Sequence, residues 1–342
     1  MTQPTFMRTE IEEIPQAVAR LLERARDSLV QGGHLLRQRD PANLVTIARG
    51  SSDHASAFLK YAVELGAGLP VASVGPSIVS IYGKKLRLDR SAAIAISQSG
   101  KSPDIVAMAE AARAGGALTF AITNTPASPL AAAADLTIDL ASGEEKSVAA
   151  TKTFVASIVA GLALIAHWQE DAALLAAIDA LPGLLAQAVD CDWSPVMGAL
   201  DGHESLYVLG RGPALAIASE AALKFKETCG LHAEAYSAAE VLHGPARIVE
   251  RHFPVLVLAA RDAAEASVAE TAERLAGQGA RVFITSIHGQ QAERLPFAAS
   301  GHPITDALAL IVSFYGLVEA LSRRRGFDPD RPPYLKKVTE TV

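Results

Sequence analysis

Three hydroxyls and a glycine interrupt an apolar run in AIAISQSGKSPDIVAMAEAARAGG, residues 93–116. Ala93 to Ile96 breaks into Ser97-Gln98-Ser99-Gly100-Lys101-Ser102, and Ile105, Val106, Met108 and Ala109 then resume at helical spacing. A strand turning into a helix here would aim free backbone N–H groups and the positive end of the helix dipole at one point, which attracts an anion without net basic charge. Ser97, Ser99 and Ser102 add hydroxyl donors, and Gly100 lets the backbone come close. The pattern suits a phosphate monoester better than a nucleotide. There is no G-x-x-x-x-G-K-[ST] motif, and GRGPALA at 210–216 only loosely matches a dinucleotide fingerprint. The plainer alternative is that Ser99 or Ser102 merely caps the helix, with Pro103 at its first position. A second Gly-Ser-Ser turn, ARGSSDHAS at 48–56, weighs toward a ligand.

Three further groups have chemical potential. Glu220, Lys224 and Glu227 stand at i, i+4 and i+7, on one helix face, where a solvated salt-bridge surface is the ordinary reading. Because this segment follows a strand and a Gly-Arg-Gly turn, its first turns are expected near the ligand edge of a sheet. A carboxylate there can move a proton between adjacent carbons, and Glu227 is the favoured base. His243, between Leu242 and Gly244-Pro245, is an imidazole in a turn, either structural or a proton carrier near neutrality. Lys336-Lys337 follow the stiff, partly apolar RPPYL, which implies a docked tail. A partly desolvated Lys337 could attack a carbonyl, or stabilise an enediolate oxygen by charge alone. The histidines lack metal-ligand spacing such as H-E-x-x-H, so neither metal nor other cofactor is implied.

Elements that could position these groups alternate along the chain. Residues 10–31 read as an amphipathic helix through Ile11, Ile14, Val18 and Leu22. From Pro41, short β-rich runs (NLVTI, AAIAIS, ALTFAIT, DLTIDL) alternate with helices, which implies a parallel sheet covered on both faces. The second half repeats the first: SLYVLGRGPALAIASEAALKFKETCGLHAEA parallels NLVTIARGSSDHASAFLKYAVELGAGLPVAS, and FPVLVLAARDAAEASVAETAERLAGQGARVFITS parallels the serine-loop segment. The expected class is α/β, two doubly wound parallel-sheet domains related by duplication. The expected boundaries are an N-terminal helix at 1–34, domains at 35–170 and 196–325, a helical connector at 171–195 and a tail at 326–342. The serine loop of the first copy becomes Ala259-Ala260-Arg261-Asp262-Ala263 in the second, so only the first copy is expected to hold a polar ligand group.

Composition removes several function classes. A net charge of −6 and the absence of a basic stripe argue against nucleic acid. The cluster Arg323-Arg324-Arg325 before Gly326 reads as cations at a helix C-terminus. The longest apolar run, Phe154 to Ala166, is too short to span a bilayer and reads as a buried helix. The first residues, MTQPTFMRTEIEEIP, contain no apolar signal core. Two isolated cysteines, Cys191 and Cys229, fit a reduced environment. A soluble, cytoplasmic protein is expected, without a membrane or nucleic-acid partner.

SQSGKSPD, the ARGSS turn, EEKSVAATKTF, EAALKFKETCGLHAEAYSAAEVLHGP and LKKVTETV together resemble the double sugar-isomerase (SIS) domain unit, a pair of flavodoxin-like domains. That unit forms the isomerase half of glucosamine-6-phosphate synthase and the whole of related sugar-phosphate deaminases, and the likeness runs from about residue 35 onward. The resemblance implies that Ser97, Gln98, Ser99 and Ser102 bind a sugar's phosphate, that Gly50, Ser51 and Ser52 line the same pocket, and that Val148 offers backbone contacts to the sugar. It places Glu220, Lys224 and Glu227 on the catalytic helix and makes His243 the ring-opening histidine, supplied by the neighbouring subunit of a homodimer. Lys337 would be the lysine that can form a Schiff base with an open-chain ketose. The synthase's N-terminal glutaminase domain, with its cysteine after the initiator methionine, has no counterpart in a chain beginning Met1-Thr2. The expected reaction is therefore the reverse one, glucosamine 6-phosphate to fructose 6-phosphate plus ammonia. Deamination of galactosamine 6-phosphate, cleavage of fructosamine 6-phosphate and plain phosphosugar isomerisation are alternatives. So is a non-catalytic sugar-phosphate sensor, although the acidic residues before the first strand are too few for a helix-turn-helix segment.

Overall fold

The computed structural model describes residues 4–337. Five strands come from the first half: β1 Asn43–Ile47, β2 Val71–Ser73, β3 Ser91–Ile96, β4 Leu118–Thr123 and β5 Leu136–Asp139. Five come from the second: β6 Ser205–Gly210, β7 His232–Ser237, β8 Pro254–Val257, β9 Arg281–Ile284 and β10 Glu293–Arg294. Each set forms its own sheet, in the orders β2-β1-β3-β4-β5 and β10-β9-β8-β6-β7, and every pairing is parallel. The two orders are the same topology read from opposite edges, with β6 matching β1 and β8 matching β3. β3 is buried at all six positions, as a central parallel strand covered by helices on both faces must be.

The chain folds into two compact units that interleave along the sequence. One comprises Gln16–Glu145 and Lys152–Asp179 together with Lys336 and Lys337. The other comprises residues 4–15, 146–151 and 180–335. In place of the single helix read over residues 10–31 there are three: Phe6–Glu12, Ile14–Arg24 and Arg26–Arg39. Pro15 supplies the reason for the first break, since it has no N–H to continue a helix and is tolerated only in a first turn.

The helix Lys152–Gln169 is longer than the apolar run suggested. It and the helix Pro303–Arg324 are long and apolar enough to cross a membrane by length and composition alone, yet 89% and 83% of their apolar windows are buried inside the protein. The first packs on the helices Arg26–Arg39 and Ser51–Gly66. A Cβ on Gly161 would lie 2.2 Å from the Leu59 side chain, so the close approach that steadies Ser51–Gly66 depends on that glycine. At the end of Pro303–Arg324, Arg323 pairs with Glu319 at 3.0 Å and Arg324 with Asp201, as cations near a helix C-terminus should. Both cysteines are free thiols, and burial pushes Cys229 up to about 11.

Candidate functional site

In the first sheet the chain reverses direction of travel between β1 and β3, and the loops leaving these two strands flank a crevice at their carboxyl ends. The loop after β1 reaches Gly50 (φ 55°, ψ −132°), and the helix Ser51–Gly66 then opens with no side-chain cap, placing Ser51 and Ser52, both half-buried, in its first turn. The loop after β3 runs from Ser97 to Ser102. Buried Ser97 accepts the Gly100 N–H at 3.2 Å, and Ser99 accepts the Lys101 N–H at 3.3 Å. Ser102 holds the cap position of the helix Pro103–Ala114 without making a cap hydrogen bond. Capping alone therefore does not account for its hydroxyl.

Gly100 has φ 62°, and a Cβ there would stand 2.1 Å from Ser128 Oγ and 2.6 Å from Ser128 Cβ. Only glycine fits. The same loop is braced from β4: Thr123 Oγ1 donates to the Gln98 carbonyl at 3.3 Å, and the Leu130 N–H donates to the Gly100 carbonyl at 3.1 Å. Arg49, from the β1 loop, forms an ion pair with the buried carboxylate of Asp104, just past the β3 loop. Thr123, Ser128 and the Arg49–Asp104 pair thus hold the serine loop in shape, and none of them stood out in the sequence, because their partners lie 25 to 55 residues away.

Gln98 also lines a cavity of about 620 Å³ with Asn124, Arg20, Arg24 and Glu145. That volume lies in the ordinary range for a small-molecule site. The Glu145 carboxylate is fully buried and accepts from the Thr153 N–H at 3.1 Å, the Thr153 hydroxyl at 2.7 Å and Lys337 Nζ at 2.7 Å. Burial alone would push this carboxyl up, but Lys337 and Thr153 outweigh it and hold it below the usual range. The tail lysine expected from the sequence is thus docked, and Glu145 is the partner that sequence reasoning missed. An adjacent glutamate pair in a loop reads as solvated until tertiary contacts bury one member.

In the other unit the helix Pro213–Cys229 carries the charged triplet. It is no solvated face: Glu220 and Lys224 are buried, and Glu227 is mostly so. Lys224 Nζ lies 3.4 Å from Glu220 and also donates to Glu227. Burial pushes the Lys224 ammonium down, yet the two carboxylates more than offset this and raise it above the usual lysine value. The expected location needs correcting, however. Glu227 sits fourteen residues beyond Pro213, about 21 Å along the helix at 1.5 Å per residue, and thus near its C-terminal end. Its carboxylate does not belong to the carboxyl edge of its own sheet, because the helix runs back away from that edge.

His243 ends a 3-10 turn, Glu240–His243, and is exposed. The Val148 N–H donates to the Asp330 carbonyl at 3.1 Å, so a sugar contact through that N–H would have to displace this bond. The structure therefore places Gly50, Ser51, Ser52, Ser97, Gln98, Ser99 and Ser102 in one unit, and in that unit Lys337 pairs with Glu145, which lines a cavity together with Gln98. It groups Glu220, Lys224 and Glu227 in the other.

Two parallel sheets of one topology, a hydroxyl-lined loop at a strand switch point and a helix with a buried charged triplet define a class. The SIS domain model matches residues 36–167 and 200–318, and the chain belongs to the SIS domain family. It is 32% identical over 363 residues to glutamine–fructose-6-phosphate aminotransferase (isomerizing) of Aeropyrum pernix, an alignment covering 99% of this chain and 57% of that protein. The chain thus spans a little over half the length of that curated relative. Among solved structures, a candidate phosphosugar isomerase from Silicibacter pomeroyi is 56% identical, with a TM-score of 0.93 over 96% of this chain and all of that one. Glucosamine-6-phosphate deaminase from Thermotoga maritima shares the fold at 18% identity, with a TM-score of 0.78 over 98% of this chain and all of that one.

Proposed function

We propose that the chain isomerises and deaminates an amino-sugar phosphate, taking glucosamine 6-phosphate and water to fructose 6-phosphate and ammonia. The observation that carries this reading is one cavity lined both by Gln98 of the serine loop and by Glu145, the residue that holds Lys337. A cavity bounded by a residue of the serine loop and by the carboxylate that holds an amine suits a phosphorylated open-chain sugar. Ser97, Ser99, Ser102, Ser51 and Ser52, with the N–H group at Gly50, would hold the phosphate.

His243 would open the ring by moving a proton from the anomeric hydroxyl to the ring oxygen. Its exposure suits a residue that serves a second subunit, and a homodimer exchanging His243 is part of the proposal. Glu227, the most accessible carboxylate of the triplet, would take the proton from C2 and return it to C1, with buried Glu220 and Lys224 fixing its position. Lys337 would stabilise the C1 oxygen of the enolaminate by its charge. The imine left at C2 then adds water and releases ammonia. The Aeropyrum relative's own name includes isomerisation of fructose 6-phosphate chemistry, which supports the first half of this sequence, and the Thermotoga neighbour's name supports the second by fold analogy alone.

A plain phosphosugar isomerase is the second reading, favoured by the 56% identity to the Silicibacter protein. Ammonia release from glucosamine 6-phosphate, galactosamine 6-phosphate and fructosamine 6-phosphate separates them, with Glu227→Gln in parallel. Turnover of one substrate that is lost in the variant supports deamination and names the sugar. Aldose–ketose exchange without ammonia supports the second reading. Mixing Glu227→Gln with His243→Ala chains tests the dimer: recovered activity in the mixture is expected if the histidine crosses between subunits.

A further inference from the structure

A buried carboxylate with a complete set of donors is an expensive feature that a fold keeps only where those donors are in place. Glu145 is such a group. It is fully buried, two of its bonds come from Thr153 on the first turn of the helix Lys152–Gln169, and a third comes from Lys337, which lies 192 residues further along the chain. The helix fixes Thr153, so Thr153 fixes the carboxylate, and the carboxylate in turn fixes the lysine. Lys336, one residue earlier, is exposed, whereas the side chain of Lys337 is only 25% exposed. Upstream, the tail is tied at Asp330, whose carboxylate accepts the Phe6 and Met7 N–H groups, and at its far end Lys337 ties it to the Glu145 carboxylate. Glu145 also lines the cavity that Gln98 shares, so the point at which the tail is held lies on the wall of the candidate sugar site.

We propose that Glu145 is a positioning residue that docks the C-terminal tail through Lys337 and thereby sets where that lysine meets a bound sugar phosphate. The inference rests on the reading of Lys337 given above for its link to turnover, but the docking itself does not. Lys337 is engaged by a carboxylate before any sugar arrives, so a carbonyl or enolaminate oxygen must compete with Glu145 for it.

The test uses the full chain and needs no substrate. Brief acetylation with acetic anhydride, read by mass spectrometry, gives the rate at Lys337 relative to Lys336 as an internal standard. In the unsubstituted protein Lys337 should react several-fold more slowly than Lys336, and in Glu145→Gln the ratio should rise about tenfold as the ion pair is lost. Thr153→Val keeps the carboxylate but removes one of its supports, and should raise the ratio by a smaller factor. Glu145→Asp, which shortens the reach, should restore part of the protection. If Glu145→Gln remains folded by circular dichroism and leaves the ratio unchanged, the docking role is overturned. If Glu145→Gln unfolds, an unchanged ratio in Thr153→Val overturns it instead. With the preferred sugar phosphate, Glu145→Gln should lower kcat about tenfold while KM changes little, since the serine loop is untouched. A changed labelling ratio with no activity in any protein would uphold the docking and reject the assignment of function.

Discussion

The turn that follows the first strand of each half is the same to within a few degrees: Gly50 has φ 55° and ψ −132°, and Gly212 has φ 60° and ψ −137°. The loop that follows the third strand is not the same at all. In the first half it carries Ser97, Ser99 and Ser102. In the second, Arg261 is tied to Glu265, and its N–H donates to the buried carboxylate of Asp306 at 3.3 Å. Burial, aided by Glu265 and Asp306, raises the Asp262 carboxyl above its usual range. One copy carries hydroxyls on this loop, and the other carries carboxylates, which would repel an anion. Duplication kept the backbone geometry, because the strand-to-helix turn is a requirement of the fold, while the side chains on it were free to diverge. In the proposed reaction the second copy would act instead from the far end of the helix Pro213–Cys229.

The sharpest way to break this contrast is at Lys224. Lys224→Met leaves two carboxylates facing each other in a buried site and should destabilise the protein by about 3–5 kcal/mol in urea unfolding. Lys226→Met, an exposed neighbour on the same helix, should change it by less than about 0.5 kcal/mol. Equal effects would mean that the triplet is a solvated face after all. The linkage has a definite sign. Because the folded-state value of Lys224 lies above its ordinary 10.5, its contribution is fully present below that pH and is lost only as pH rises through the raised value. No loss between neutrality and pH 10 should trace to this group.

Next in size is the serine loop. Ser97→Ala with Ser99→Ala should weaken binding of a sugar phosphate roughly tenfold to hundredfold, at about 1.5–3 kcal/mol for hydrogen bonds to a charged group. Ala259→Ser with Ala260→Ser, which places hydroxyls in the second copy, should create no phosphate site, since the carboxylates around Asp262 remain. Isothermal titration with each protein decides it, and phosphate binding to the second pair of substitutions would refute the electrostatic half of the contrast.

A smaller effect is expected at the glycines. Gly100→Ala places a Cβ against Ser128 at positive φ, and should cost about 1–2 kcal/mol of stability together with much of the phosphate affinity. Gly212→Ala sits at a similar positive φ with nothing closer than Asp262 Oδ2 at 4.0 Å, so it should cost stability alone. The smallest expected change is at Glu145. Its carboxyl is held below its ordinary 4.5, so its contribution is complete above that pH and is lost as pH falls through the lowered value. Protection of Lys337 from acetylation cannot be followed at such acidity, but protection from an acid-active protease can, and it should fall over the same window.

The sheets were legible because buried parallel strands read as unbroken apolar runs, as in AAIAI and PVLV, and because the second half repeats the first. The serine loop was legible from its residue types alone. What could not be read was whether a charge is wet or dry. Glu-x-x-x-Lys-x-x-Glu has the same spacing on a solvated helix as on the buried face found here, and GEEKS gives no sign that its second glutamate lies inside. Pro15 is visible in the sequence, but the helical period of Ile11, Ile14, Val18 and Leu22 runs straight across it and hides the break into three helices. β7, whose sequence HAEAYS alternates polar and small residues, is an edge strand and so has no unbroken apolar run to mark it.

The apolar helix Lys152–Gln169 has a consequence for how the chain is made. Its two main covering helices, Arg26–Arg39 and Ser51–Gly66, precede it and only the short Ala172–Asp179 follows, while Pro303–Arg324 packs on Pro213–Cys229, made earlier. As the polypeptide leaves the ribosome, each segment greasy enough to be mistaken for a membrane anchor emerges only after its main shelter has been synthesised. A rearranged gene that placed Lys152–Gln169 ahead of those helices would encode the same contacts, yet the nascent chain would carry that segment uncovered for the whole time needed to translate them.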